Sequence, residues 1–125
     1  MPGPKGWEVE FHDLFDREFD ELDQDVQDGL LAAASALEQL GPGAGRPYVD
    51  TLKESRHGNM KELRFTANNG REQWRAAFAF DPERRAIILV AGAKQGKNSK
   101  LFYRQLISKA DERYDAHLAR VGKKR

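Results

Sequence analysis

The stretch AIILVAG, residues 86–92, constrains the fold most, because every one of its residues is apolar or glycine. A strand with one face in water alternates apolar and polar residues, whereas a strand inside a covered sheet is apolar on both faces. Residues 86–92 therefore predict a central strand. The preceding stretch QWRAAFAF, residues 73–80, alternates instead, so one of its faces carries the core-forming side chains. That face holds Trp74, Ala76, Phe78 and Phe80.

Two turn signals join these segments to a third strand. NNG at 68–70 is typical of a hairpin turn and follows NMKELRF at 59–65, which is the third predicted strand. DPERR at 81–85 is a second turn, between the other two strands. The second half of the chain therefore predicts three strands with mainly antiparallel pairing.

The first half of the chain and its C-terminal region have a helical period. After a short alternating strand WEVEF at 7–11, apolar residues recur at spacings of three and four, which predicts two amphipathic helices before the Gly/Pro-rich stretch at 41–47. Asn98 or Ser99 can cap a last helix that carries Phe102, Tyr103, Leu106, Ile107, Ala110, Tyr114 and Leu118. The predicted order is β-α-α-β-β-β-α, an α+β fold in which a helical hairpin and a C-terminal helix pack against a small sheet.

A chain of 125 residues predicts one domain. We expect a disordered N-terminus at 1–6, a single domain at 7–120 and a basic tail at 121–125. The absence of cysteine excludes disulfides and thiolate metal sites. The first residues lack the apolar run of a signal peptide, and no stretch approaches the length of a transmembrane helix, so we expect a cytoplasmic protein without membrane contact.

The net charge of +1 conceals an asymmetry along the chain. Residues 1–50 hold three Lys or Arg and 12 Asp or Glu, whereas residues 51–125 hold 18 and eight. The basic part fits a polyanionic partner, although solvated faces produce the same split. The acidic helices can likewise be a partner surface or simply solvated.

Strand alternation places two arginines together. If the strands at 59–65 and 73–80 pair through the NNG turn, Arg64 and Arg75 lie on the same face, opposite the aromatic core face. Further basic residues flank these strands in the sequence. They are Lys53, Arg56 and His57 before the first strand and Lys94 and Lys97 after the last. This pattern predicts a shallow anion site with arginines on its floor.

Phosphate suits such a site, because the planar guanidinium offers paired donors and stays charged. A phosphodiester cleaved by its own 2′-OH needs a proton acceptor, a proton donor and cations around phosphorus, but no metal or other cofactor. Only RNA carries that hydroxyl. Histidine is the side chain that can exchange a proton near neutral pH, so His57 is a candidate for proton transfer.

Plainer interpretations stand beside this one. Arg64 and Arg75 can be cross-strand partners of Glu62 and Glu72, and His57 can be an ordinary loop histidine. Tyr103, like Tyr114, has the helical spacing of a core residue. The histidines lack metal-ligand spacing, and no nucleotide-binding loop or serine-hydrolase motif is present.

The chain resembles the RelE/ParE toxin superfamily of type II toxin–antitoxin systems, and within it the HigB-like, phage-derived branch. The resemblance covers about residues 7–118 and is carried by the order and spacing of TLKESRHGNMKELRF, QWRAAFAF and ILVAGAKQGKNSKLFYRQLI. It implies a toxin that cleaves mRNA at the ribosome without a metal. It also implies neutralisation by a cognate antitoxin, in this branch usually of helix-turn-helix type.

The resemblance also assigns roles. Arg64 and Arg75 match the sheet arginines that hold the scissile phosphate, and Lys94 matches the basic position after the last strand. Tyr103 or Phe102 matches the aromatic residue of the last helix. With His57 from the residue chemistry, the candidate catalytic set is Arg64, Arg75, Lys94, His57 and Tyr103. The candidate RNA-binding set is Lys53, Arg56, Lys61, Lys97 and Lys100.

Two other functions remain open. One is a ParE-like toxin that acts on DNA gyrase without nuclease activity. The other is an inactive module that still holds RNA or an antitoxin. Glu62 supports the inactive module, because it stands where RelE-type members often carry a lysine and reduces the positive charge beside Arg64.

Overall fold

The computed structural model describes residues 7–94, 96 and 98–123. It confirms the α+β class and the predicted order of elements, with one additional strand. The elements are β1 (Glu8–Phe11), α1 (Asp13–Asp20), α2 (Gln24–Leu40), a short 3-10 turn (Gly41–Gly43), β2 (Val49–Thr51), β3 (Met60–Ala67), β4 (Glu72–Phe80), β5 (Arg85–Ala93) and α3 (Ser99–Lys123).

The strands form one sheet in the order β1-β5-β4-β3-β2. β1 pairs with β5 in parallel, and the other three pairs are antiparallel. β5 therefore has a neighbour on each side, as its apolar sequence predicted. The NNG turn is also confirmed, since Arg71 N donates to Asn68 O at 3.1 Å and the two central residues, Asn69 and Gly70, both have positive φ, at 58° and 80°, as a hairpin turn of this kind requires.

β2 is the strand that the sequence did not predict. Its three residues, Val49–Thr51, are too few to show an alternation. They pair with β3 so that Asp50 lies opposite Glu62. This strand forms one edge of the sheet and brings an acidic residue next to the predicted cationic face.

Both faces of the sheet are covered. On one face, α1 and α2 enclose a core that includes Phe15, Leu30 and Phe78. On the other face, α3 encloses a second core that includes Leu89 and Tyr114. The predicted packing of the C-terminal helix against the sheet is confirmed, and α3 lies on the face that carries Arg64 and Arg75.

The N-terminus of this helix is capped by Asn98, whose side-chain oxygen accepts a hydrogen bond from Leu101 N at 3.2 Å.

The β4–β5 turn is fastened to the C-terminal half of α3. Asp81 is 4% exposed, and its Oδ1 accepts hydrogen bonds from the backbone N–H groups of Glu83 and Arg85, both at 2.9 Å. Its Oδ2 lies 2.9 Å from His117 Nε2 and 3.2 Å from Arg85 Nη2. Burial alone would raise the pKa of Asp81, but the hydrogen bonds from His117 and the two backbone groups outweigh it, so the pKa is lowered.

Some predictions concern the ends of the chain. The predicted disorder at 1–6 lies outside the described residues. α3 continues through Lys123, so the first three residues of the predicted tail are helical, and residues 124–125 lie outside the described part. In the described part of the chain, no helix has the length and apolar character needed to cross a membrane.

Replacing Asp81 by asparagine keeps an acceptor for the backbone N–H groups but removes the charge that Arg85 and His117 face. We expect a loss of about 3 kcal/mol in the free energy of unfolding at neutral pH, since one side of a buried ion pair is removed. The lowered pKa makes this contribution complete above the ordinary aspartate pKa of about 3.9 and removes it as pH falls through the folded-state value. Urea titrations should therefore show the two proteins converging below about pH 4.

Glu83→Gln is the matched control, because Glu83 pairs with the same arginine at 2.7 Å but its side chain is 38% exposed. We expect it to change the free energy of unfolding by less than about 0.5 kcal/mol. Equal effects of the two substitutions, or no convergence in acid, would contradict the role given to Asp81.

Candidate active site

The two arginines of the predicted cationic face are direct neighbours. Arg64 of β3 and Arg75 of β4 are register partners, which confirms that they share a face. Like charges placed directly opposite each other on neighbouring strands destabilise a sheet. This arrangement therefore needs a negative charge beside it.

Glu62 supplies that charge. Its side chain is 5% exposed, and its Oε2 accepts hydrogen bonds from Arg64 Nε at 3.1 Å and Nη2 at 2.9 Å. Its Oε1 accepts a hydrogen bond from the Tyr103 hydroxyl at 2.7 Å and lies 3.6 Å from Arg75 Nε. We call Glu62, Arg64, Arg75 and Tyr103 the Glu62 cluster. Pairing of the arginines with Glu62 is thus confirmed, whereas Glu72 instead accepts from Trp74 Nε1 at 3.1 Å.

The aromatic residue of α3 that lies at the arginine pair is Tyr103 rather than Phe102. Arg75 Nε donates to the Tyr103 hydroxyl oxygen at 3.3 Å. Burial, and next the hydrogen bond to Glu62, raise the pKa of Tyr103 above its ordinary value, so the hydroxyl remains a proton donor. Phe102 packs over Gly92, where an added Cβ would lie 3.2 Å from Phe102 Cε1.

The arginines differ in exposure. The Arg64 side chain is 34% exposed, and that of Arg75 is 13% exposed. Arg64 Nη2 also lies 3.5 Å from Asp50 Oδ2, which Arg46 approaches to 3.2 Å. The hydrogen bond to Glu62 is the largest cause of the raised pKa of Arg64, and the hydrogen bond from Thr51 N is the largest cause of the lowered pKa of Asp50. Arg64 is therefore the cluster's cation on the solvent side.

Three members of the Glu62 cluster, Glu62, Arg64 and Tyr103, line a cleft of about 1030 Å³ between α3 and the β2–β3 edge, whereas Arg75 is not among its described lining residues. We call it the cationic cleft, because its lining has more basic than acidic side chains. The basic residues are Arg46, Lys53, Arg56, Arg64, Lys100 and Arg104, and the acidic ones are Asp50, Glu54, Glu62 and Asp111.

Among the predicted RNA-binding residues, Lys53, Arg56 and Lys100 line this cleft. Sequence reasoning missed Arg46 and Arg104. Arg104 follows Lys100 by four residues, a spacing that places both on one helix face and could have revealed it. Arg46 lies in the loop before the unpredicted strand β2 and gave no comparable signal.

Of the other predicted lysines, two are not brought to the cleft and one lies outside the described residues. Lys61 alternates with Glu62 along β3, so it lies on the opposite sheet face, where its Nζ donates to Thr51 Oγ1 at 3.3 Å. Lys94 directly follows β5, its backbone N–H donates to Gln73 O at 2.7 Å, and it is not among the described lining residues. Lys97 lies outside the described residues.

His57 lies at the other end of α3. Its Nε2 is 2.7 Å from Asp115 Oδ1, and its ring packs edge-on against Tyr114 with centroids 4.9 Å apart. Asp115 follows Tyr103 by twelve residues, which corresponds to ~18 Å along a helix. The hydrogen bond from His57 is the largest cause of the lowered pKa of Asp115. The structure therefore places His57 in the anchoring of a loop to α3, away from the Glu62 cluster.

Comparison with known protein families identifies the family of this chain. Residues 17–115 match the model of the family described as phage-derived protein Gp49-like (DUF891). This chain belongs to the Gp49-like family. Because the match covers most of the chain and includes all four members of the Glu62 cluster, the cluster lies within the Gp49-like domain itself.

Two relatives come from Mycobacterium tuberculosis. One, named "Putative toxin HigB2", is 47% identical over 98 residues, which are 78% of this chain and 48% of the relative. The other, named "Putative toxin HigB3", is 41% identical over 104 residues, 83% of this chain and 87% of the relative. The chain thus spans about half of the first and most of the second, and the resemblance to the HigB-like branch is confirmed. No solved structure matches significantly.

Glu62→Ala should lower the free energy of unfolding of this Gp49-like chain by about 3 kcal/mol. The substitution leaves Arg64, which is 34% exposed, and the more buried Arg75 opposite each other without their carboxylate. Urea titration at neutral pH measures the change. Glu54→Ala, at an exposed glutamate of the same cleft, should stay within about 0.5 kcal/mol of the parent chain. If Glu62→Ala also stays within that limit, Glu62 does not stabilise the arginine pair.

Proposed function

We propose that this protein is the toxin of a toxin–antitoxin system and that it cleaves translated mRNA at the ribosome in the cytoplasm. The names of the relatives support the toxin function. Cleavage is supported by the Glu62 cluster, in which two arginines and one carboxylate carry a net charge of +1, and of which Arg64, Glu62 and Tyr103 line the cationic cleft. That charge complements one phosphodiester. A cognate antitoxin, which we propose is of helix-turn-helix type, neutralises the toxin.

The exposure of the arginines suggests an order of contacts. Arg64, the more exposed of the two, meets the scissile phosphate first, and Arg75 supports the charge that develops on its oxygens during the reaction. Glu62 holds both side chains beside Tyr103 before the substrate arrives, so little reorganisation is needed. Lys53, Lys100 and Arg104 hold neighbouring phosphates along the cationic cleft.

The proposed reaction is an intramolecular transesterification, in which the 2′ oxygen attacks the neighbouring phosphorus. The 2′ oxygen gives its proton to a solvent water molecule and forms a bond to phosphorus, the bond from phosphorus to the 5′ oxygen breaks, and the 5′ oxygen gains a proton. The products are a 2′,3′-cyclic phosphate and a 5′ hydroxyl. Tyr103, kept protonated by its raised pKa, donates the proton to the leaving oxygen. The arginines supply the positive charge around phosphorus, so this scheme requires no metal.

Arg75→Ala should abolish growth inhibition and reduce mRNA cleavage by about 10²–10³-fold, because the reacting phosphate loses a preorganised cation. The measurement is brief induction in a bacterial host followed by sequencing of new mRNA 5′ ends. Arg71→Ala is the control, since Arg71 is an exposed arginine outside the Glu62 cluster. Circular dichroism should show both variants folded.

The same experiment separates the candidate functions. New ends that cluster in frame within translated codons, and that disappear with Arg75→Ala, are the expected result. Arrested growth with intact mRNA would contradict the proposal and favour action on DNA gyrase, which a supercoiling assay then tests. Normal growth with intact mRNA would favour an inactive binding module, for which the neutralising position of Glu62 is the supporting observation.

Tyr103→Phe tests the proton donor. It keeps the ring but removes the hydroxyl that contacts Glu62 and Arg75. We expect cleavage to fall by about 10²-fold while RNA affinity changes by less than about threefold, since a general acid acts mainly in the transition state. Tyr48→Phe, at a hydroxyl on a side chain outside the cationic cleft, should change neither quantity. A parallel loss of affinity and cleavage would indicate a binding role for Tyr103 instead.

A further inference from the structure

Asp111 is a buried carboxylate that takes no part in the chemistry proposed above. It lines the cationic cleft, yet the residue is only 3% exposed. A negative charge in such a cleft opposes the binding of phosphate, and burying a carboxylate costs free energy unless hydrogen-bond donors surround it. The contacts of Asp111 must therefore offset both costs.

Those contacts come from the loop that joins β2 to β3, residues 52–59, which we call the 52–59 loop. Ser55 Oγ donates to Asp111 Oδ1, and Arg56 N donates to Asp111 Oδ2 at 3.1 Å. His57 N donates in turn to Ser55 Oγ at 3.0 Å. Both carboxylate oxygens are thus used, and they fix the backbone in the middle of the loop.

The ends of the 52–59 loop are held independently of Asp111. Leu52 is 5% exposed and packs in the core beneath α3. Asn59 Nδ2 donates to Phe80 O at 2.8 Å. Loss of Asp111 would therefore release only the middle of the loop, without separating its ends from the fold.

Asp115, one turn further along α3, makes a weaker second contact with the loop. It pairs with the side chains of Arg56 and His57, but its own side chain is 49% exposed, so solvent screens these pairs. Because Asp115 meets side chains whereas Asp111 meets the backbone, Asp111 is the residue that sets the course of the loop.

The 52–59 loop supplies one side of the cationic cleft. Lys53 lines the cleft from the loop, and Lys100 and Arg104 line it from α3. Lys53 is exposed, so its position depends on the loop backbone rather than on packing of its own side chain. A loop that left α3 would carry Lys53 away from the two cations of the helix.

Asp111 is too far along α3 to act on the reacting phosphate itself. It follows Tyr103 by eight residues, which corresponds to ~12 Å along a helix. Both of its oxygens also accept hydrogen bonds from the loop. Any effect of Asp111 on RNA must therefore pass through the 52–59 loop.

We propose that Asp111 is a positioning residue for RNA, which holds the 52–59 loop against α3 so that Lys53 contacts a phosphate next to the one that is cleaved. The proposal rests on the proposed function for its ligand and adds a residue that shapes the binding surface. The expected effect has the opposite sign to simple electrostatics. Removal of a negative charge from a cationic cleft strengthens anion binding, whereas removal of Asp111 weakens it.

The test compares three substitutions around the loop. Asp111→Ala removes the contact and a negative charge, whereas Ser55→Ala removes part of the same contact and no charge. Glu54→Ala is the matched control, because it removes a negative charge from an exposed residue of the same cleft. The probe is a short single-stranded 2′-O-methyl oligoribonucleotide, which lacks the attacking hydroxyl, and its dissociation constant is measured by fluorescence anisotropy at several salt concentrations.

We expect Asp111→Ala to weaken RNA binding about fivefold and to make the plot of log Kd against log salt shallower by about 0.7, the change for one phosphate contact on a single strand. Ser55→Ala should weaken binding in the same direction, and Glu54→Ala should leave it equal or tighter. Tighter binding by Asp111→Ala, as by Glu54→Ala, would overturn the positioning role.

Lys53→Ala identifies the cation that the loop carries. It should weaken binding by about as much as Asp111→Ala, and the double variant should be no weaker than either single variant, because both remove the same contact. Additive losses in the double variant would overturn the link between Asp111 and Lys53.

Amide hydrogen exchange separates a released loop from a damaged fold. Protection of Arg56 N–H should fall in Asp111→Ala and Ser55→Ala, while the amides of β3 and β4 keep theirs. Loss of protection throughout the sheet in both variants would give Asp111 a structural role only and overturn the proposal. So would a released loop with unchanged RNA affinity.

Cleavage distinguishes this proposal from the proposed nuclease. In a bacterial translation extract, the maximum rate at saturating mRNA should change less than about twofold in Ser55→Ala, because the Glu62 cluster is intact and only binding is weakened. The expected order of RNA affinities without cleavage by the parent chain would remove the nuclease alone. Cleavage by the parent chain with equal RNA affinity of all variants would remove the role of Asp111 alone, and a parent chain that binds no RNA would overturn both.

Discussion

Two arginines that face each other on neighbouring strands repel, and the arrangement depends on the buried carboxylate of Glu62. The same carboxylate receives the hydroxyl of Tyr103, so it also ties the start of α3 to the sheet. Asp50, opposite Glu62 on β2, adds a second acidic neighbour for Arg64. The Glu62 side chain thus connects two neighbouring strands of the sheet with the helix that covers them. Because it neutralises only one of the two arginines, a net positive charge remains that an anion can bind.

The other end of α3 is fixed by different contacts. Arg113 is 7% exposed and donates to Leu89 O at 2.7 Å and to Glu18 Oε2 at 2.6 Å, which joins α3 to β5 and α1. His117 contacts Asp81 in the β4–β5 turn. Because both halves of the helix are held by buried polar contacts as well as by apolar packing, the position of Tyr103 follows from the whole fold rather than from its own turn.

Much of this arrangement is readable from the sequence. The apolar run at 86–92 and the alternation at 73–80 predicted the centre of the sheet, and the NNG turn fixed the register that pairs Arg64 with Arg75. Contacts between distant segments were not readable. The pairing of His57 with Asp115 joins residues 58 positions apart, and β2 is too short to form a pattern. The apolar pair Ala77 and Ala79, opposite the aromatic face, was the available sign that α3 covers the second face, since solvated positions favour polar residues.

Gly92 influences the position of α3 through packing rather than through charge. Phe102 packs directly over it, and a methyl group at this position would come within 3.2 Å of the ring. The ring would have to move by a few tenths of an ångström, and Tyr103 is its direct neighbour in α3. A larger residue at position 92 can therefore change the geometry of the Glu62 cluster without replacing any of its members. For the toxin proposed above, this is a short mutational route to a folded form in which the Glu62 cluster is disturbed.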